Sequence, residues 1–223
     1  THEIRISPPA LAPQISELEL RPAADTYISD WETSPKGTEN KIAVTAGGRQ
    51  RGLVRFETSP TIPNNAIVLG ASLKLYTTYQ TSASPLQIAA YQLRRAWTPD
   101  VATWIHASAA EDWATPGADN LESDRFLDEQ GVTLLDQMYK LYEANIRPMT
   151  RNWVGQPELN RGLLLKTANG WGGAYVTYNL ASSDNNNPNG PRLWVVYTIP
   201  TSTPTPTATP TELPTATATP TPT

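Results

Sequence analysis

Along Ser72–Thr77 the chain alternates: Leu73, Leu75 and Thr77 fall on one side of an extended segment, and Ser72, Lys74 and Tyr76 on the other. Near the end Leu193, Val195 and Tyr197 repeat the pattern, with Trp194 on the opposite face. A period of two predicts strands with one dry and one wet face. Strand-like runs are Ile15–Leu20, Asp25–Ser29, Lys41–Thr45, Gly52–Phe56, Ala66–Tyr79, Leu86–Trp97, Arg161–Thr167, Ala174–Leu180 and Arg192–Ile199. Turn chemistry separates them, as in Pro35-Lys36-Gly37, Gly47-Gly48, Pro63-Asn64-Asn65 and Asp184–Pro191. Many short strands without alternating helices predict an all-β, antiparallel, jelly-roll-like sandwich.

The stretch Thr98–Asn145 is less regular, and Leu134–Tyr142 reads as either a strand or a helix. Pro148–Val154 reads as a short helix, with Met149 and Trp153 at i and i+4. Three parts follow: an extended leader over 1–22 whose strand is available for exchange, the sandwich over 23–199, and a tail over 200–223.

The tail is almost wholly Thr, Pro and Ala and cannot form a core. Its prolines favour polyproline II over a disordered coil, and stretched out it would reach about 70 Å. Thr203, Thr205, Thr207, Thr209, Thr215, Thr217, Thr219 and Thr221 are candidate O-glycosylation sites of a stalk. A bare flexible linker is the other reading.

Net charge is −4, with Lys and Arg scattered, so no nucleic-acid partner is expected. No apolar run has the length of a membrane span. The absence of cysteine excludes thiolate chemistry, and about 200 foldable residues can form a core without disulfides. The N-terminal residues lack a signal-peptide pattern, so in an exported protein Thr1 would be a mature start.

Certain landmarks occur in order: Ala24-Asp25-Thr26-Tyr27-Ile28, Arg51-Gly52-Leu53-Val54-Arg55-Phe56, Ala71-Ser72-Leu73-Lys74-Leu75-Tyr76 and Val101-Ala102-Thr103-Trp104. Trp113-Ala114-Thr115-Pro116-Gly117-Ala118-Asp119, Asn160-Arg161-Gly162-Leu163 and Arg192-Leu193-Trp194-Val195 complete the set. Over about Ala24–Tyr197 the sequence resembles the DNRLRE family, the disaggregatase-related repeat, part of which is classed among carbohydrate-binding modules. The resemblance implies a jelly-roll-like sandwich of secreted or surface proteins, often beside a Thr/Pro linker. Where that family has an Asp-Val-Thr-like segment before the helix, this chain has Asn145-Ile146-Arg147.

His2 and His106 form no metal-ligand spacing, and no G-x-S-x-G elbow is present. Carboxylates cluster at Glu111, Asp112, Asp119, Glu122, Asp124, Asp128 and Glu129. A glycosidase would need two of them facing each other across a cleft; a solvated acidic loop is the plainer reading. Structural calcium could use Asp25, Asp184 and Asn186; no other cofactor is required. Sugar binding needs exposed aromatic faces, for which Trp171, flanked by glycines, leads Trp113, Trp31 and Tyr79. An edge aromatic that covers a hydrophobic gap is the alternative role for Trp171.

The expected function is a non-catalytic extracellular or cell-surface module that binds polysaccharide or mediates adhesion. The alternative is a protomer of an extracellular fibre or surface layer. There, other copies of the chain would be the partners, joined by strand addition through Ile15–Leu20.

Overall fold

The computed structural model describes residues 14–184 and 187–200. The leader residues 1–13, Asn186 and all eight candidate glycosylation threonines lie outside that range. The strands are β1 (Ile15–Leu20), β2 (Ala24–Ser29), β3 (Lys41–Thr45), β4 (Gln50–Arg55), β5 (Ile67–Gln80) and β6 (Leu86–Leu93). Then come β7 (Arg125–Leu135), β8 (Leu141–Asn145), the helix α1 (Arg147–Gly155), β9 (Leu163–Thr167), β10 (Thr177–Ala181) and β11 (Arg192–Thr198).

Two antiparallel sheets face each other as a sandwich. One has the order β1-β11-β5-β10-β3, with β8 also on β5; the other is β2-β4-β9-β6-β7. Between them pack Tyr27, Ile42, Val44, Val54, Leu73, Leu75, Leu165, Leu180 and Val195, all buried. Gly52 lets the sheets approach here, because a Cβ at that position would lie 2.5 Å from Ile42 Cγ2 of the opposite sheet. Gly162 solves a similar problem within one sheet: its φ is +79°, and a Cβ would meet the Val54 carbonyl oxygen at 2.3 Å.

The strand β1 lies on the edge of β11 in its own chain, Ile15 opposite Thr198 and Leu20 opposite Leu193. Its alternation of exposed Glu17 and Glu19 with half-buried Leu18 and Leu20 fits that place. It thus forms the edge of the six-stranded sheet in this chain.

The six-stranded sheet has the expected dry and wet faces. The five-stranded sheet does not, since β2 is buried at every position. The cause is the 31-residue connection from β6 to β7, residues 94–124, which lies over its outer face. Trp97 and Trp113 pack there on Ile28, Leu53, Tyr91 and Leu164 in a second core. The irregularity of Thr98–Asn145 is therefore that of a packed covering loop. Asp124, fully buried, organises its return: the backbone N–H groups of Ala114, Thr115 and Asn120 donate to it at 3.0–3.2 Å.

Beyond the loop the chain forms β7. The ambiguous Leu134–Tyr142 segment is the end of β7, a turn and the start of β8. The expected β6 is shortened at Leu93, where the backbone N–H groups of Arg94 and Arg95 turn to the Asp124 carbonyl. The helix forms as read, with Pro148 in its first turn and Met149 and Trp153 fully buried.

Candidate functional site

The strand register defines two ends of the five-stranded sheet. Ala24, Arg55, Leu163 and Leu93 lie toward one end; Ser29, Gln50, Thr167 and Leu86 lie toward the other. At the first end, where α1 meets β6 and β7, two adjoining cavities of about 380 Å³ and 570 Å³ share Asn152 in their walls.

Gln92, Arg94, Phe126, Gln156 and Arg161 line the smaller cavity, and Asp128, Gln130, Arg147 and Arg151 the larger. Arg147 and Arg151 stand one helical turn apart, on the face of α1 opposite buried Met149 and Trp153. The Arg94 guanidinium sits 3.7 Å from the centre of the Phe126 ring. Asn152 Nδ2 donates to Gln92 Oε1 at 3.1 Å, and the backbone N–H of Met149 to Gln130 Oε1 at 2.9 Å. These bonds fix both amides and leave the Gln92 and Gln130 NH₂ groups as donors.

Four arginines thus surround the paired cavities against one carboxylate, Asp128. Neighbouring Arg95 is paired with Asp124 and Glu111, whereas Arg94, Arg151 and Arg161 form no ion pair among the described residues. Planar guanidinium and amide groups around an open groove suit a ligand rich in hydroxyl and carboxylate oxygens.

The aromatics read from the sequence do not converge. Trp113 is 4% exposed, and its indole N–H donates to the Thr103 carbonyl at 3.0 Å, so it packs the second core. Trp171 rests partly buried against the main core, with Gly173 folded so closely on it that a Cβ there would come within 2.3 Å of the indole. Tyr79 is half exposed near the end of β5. Trp31 is half exposed too, and its aromatic neighbour is Tyr175, which was not singled out from the sequence.

Asp25 is buried, and its Oδ2 accepts the backbone N–H of Ser183 at 2.9 Å and the Ser183 hydroxyl at 2.5 Å. Burial, with Asp25 and Asp100 nearby, pushes the Asp184 carboxyl up despite the hydrogen bond from Ser182. Among the described residues no three His, Cys, Asp or Glu side chains are grouped to hold a metal ion.

Several clustered carboxylates have structural partners. Asp119 accepts from Arg125 Nη2 at 2.7 Å, Lys166 Nζ at 2.9 Å and Arg51 Nη2 at 3.3 Å. Burial alone would raise its pKa; Lys166, Arg51 and Arg125 outweigh burial and hold it well below the usual carboxylate range. Glu129 accepts the Tyr91 hydroxyl at 2.8 Å.

Residues 16–119 match carbohydrate-binding module family 96. No curated protein matches the chain. The matched segment runs from β1 through β6 into the covering loop as far as Asp119, so this part is similar to a carbohydrate-binding module. It contains Gln92 and Arg94 of the groove and both Trp31 and Trp104. The chain is thus a β-sandwich with a carbohydrate-binding-module-like segment, and no helix is long and apolar enough to cross a membrane among the described residues.

The groove residues Arg94, Phe126, Arg147, Arg151, Asn152, Gln156 and Arg161 were not read from the sequence as ligand-binding residues. Their arginines are scattered in sequence and are gathered only by the fold. One local signal existed: Arg147 and Arg151, spaced i and i+4 on a helix whose apolar positions were already assigned.

Proposed function

We propose that this chain is a non-catalytic, extracellular carbohydrate-binding module that holds an acidic polysaccharide in the groove between α1 and the β6–β7 edge. The observation that carries this reading is four arginines facing one aspartate around paired cavities, on a chain whose net charge is −4. Carboxylate-bearing sugar units would take the Arg94, Arg151 and Arg161 guanidiniums, while Gln92, Gln130 and Gln156 would serve the hydroxyls. The match to carbohydrate-binding module family 96 supports the carbohydrate class. The Thr/Pro composition of the tail supports its use as a stalk, as the sequence reading expects.

The test is calorimetric titration with a polyuronate and with a neutral glucan. The polyuronate should bind saturably and the glucan much more weakly at the groove. Arg94→Ala and Arg151→Ala should each weaken polyuronate binding about 10- to 100-fold, the range of a lost charge-assisted contact. Unchanged affinity in both variants would remove the groove from the function.

A further inference from the structure

We propose a second carbohydrate site at the opposite end of the five-stranded sheet, one that takes a single neutral pyranose unit of a glycan. It shares the carbohydrate-binding reading but does not depend on the arginine groove. A cavity of about 240 Å³ lies between the segment after β2 and the covering loop, walled by Asp30, Glu32, Thr33, Trp104, Ile105 and His106, among others. Trp31, which lies between the cavity-lining Asp30 and Glu32 in sequence, and Tyr175 are 48% and 61% exposed, their ring centres 6.4 Å apart and their planes 52° from parallel. The Arg49 guanidinium lies 5.6 Å from the centre of the Trp31 ring, and the exposed parts of the two tilted rings form the apolar platform for one sugar ring.

The polar groups are those that receive hydroxyls. Asp30 Oδ2 accepts Arg49 Nε at 2.8 Å, while Asp30 Oδ1 is buried without a hydrogen-bond partner. An unpartnered buried oxygen costs free energy as long as it lacks a donor, and a ligand hydroxyl would supply one. Glu32 gives one oxygen to Lys36. His106 uses Nδ1 on Asp112 Oδ1 at 2.5 Å, and its Nε2 makes no hydrogen bond among the described residues. Thr33 and Thr103 add hydroxyls.

Charge separates this site from the groove. Its two carboxylates are already paired, Asp30 with Arg49 and Glu32 with Lys36, so unlike the groove it offers no free guanidinium to a carboxylate-bearing sugar and is suited to neutral hydroxyls. The ends are separated by the length of β2, roughly 20 Å at about 3.3 Å per residue. All the residues named here except Tyr175 lie inside the segment that matches the carbohydrate-binding family.

The experiment is ¹⁵N-HSQC titration of the intact protein with cellohexaose, mannohexaose and xylohexaose, beside a polyuronate. At least one neutral hexaose should shift the backbone resonances of residues 29–33 and 103–106, with affinity on the order of millimolar. Trp31→Ala and Tyr175→Ala, both at exposed positions, should each weaken that binding about 10-fold or more, and Arg94→Ala should leave it unchanged. No shift at residues 29–33 and 103–106 with any of the three hexaoses, or shifts that persist at full affinity in both aromatic variants, overturns the proposal. Polyuronate shifts near 92–94 and 152–156 report on the groove alone, so either site can fail without the other.

Discussion

Arg125 clamps Asp119 with two donors on one oxygen, Nη2 at 2.7 Å and Nε at 2.9 Å from Oδ1. The contact joins the first residue of β7 to the last part of the covering loop. Arg51, which also donates to the Gly117 carbonyl at 2.6 Å and lies 4.8 Å from the centre of the Trp104 ring, extends the clamp to β4. With Lys166 of β9 also donating to Asp119, the loop is held to three strands by charge where it has no ladder.

Loss of this clamp should be costly. Asp119→Asn leaves Arg51, Arg125 and Lys166 without their shared counter-charge, and we expect a loss of roughly 2–4 kcal/mol. That is somewhat below the range for a fully buried pair, since the Asp119 side chain is 30% exposed. Urea unfolding at pH 7 measures it, and a change under 0.5 kcal/mol would mean that the network is dispensable.

The same residue sets an acid limit. The folded-state pKa of Asp119 is depressed, so its contribution is fully present above the unfolded value near 4 and is lost as pH falls below it. Stability of the wild type relative to Asp119→Asn should therefore shrink between about pH 4 and pH 2. A gap that stays constant over that window contradicts the assignment.

At the sheet interface, Gly52→Ala forces a methyl group against Ile42 and should cost about 1–3 kcal/mol. Combined with Ile42→Ala the cost should fall short of the sum of the two single changes, as a double-mutant cycle would show. Strict additivity would place the strain elsewhere.

Asp124→Ala removes the acceptor for three backbone N–H groups and for Arg95. Limited proteolysis should then cut between residues 96 and 122 under conditions where the wild type stays intact. Equal resistance would show that the packing of Trp97 and Trp113 suffices.

Salt should divide the two proposed sites. Raising NaCl from about 0.05 to 0.5 M should weaken polyuronate binding at the groove about 10-fold or more and leave neutral hexaose binding near Trp31 unchanged. Parallel titrations at both salt levels decide this, and a common response would argue for one shared site.

Much of the sandwich was legible because its strands follow a period of two and are separated by Gly, Pro and Asn turns. Leu73, Leu75, Leu193 and Val195 point inward as their alternation requires. The covering loop was not legible: it has no period, and Trp97 and Trp113 owe their burial to a surface formed by strands distant in sequence. β7 was missed as well, since Asp128, Glu129, Gln130 and Gly131 interrupt its apolar residues. Trp31 was legible as a candidate, but its aromatic neighbour was not, because Tyr175 lies far from it in sequence. The arginine groove had no local signature beyond its two helical members.

Ile15 opposite Thr198 means that the polypeptide enters and leaves the sandwich side by side. A pull applied through both flanks would open the β1–β11 ladder like a zipper, one residue pair at a time, with no collective shear of the hydrogen bonds. Under tension β1 should peel away at low force while the remaining strands of the six-stranded sheet hold, making this edge the mechanical fuse of the domain.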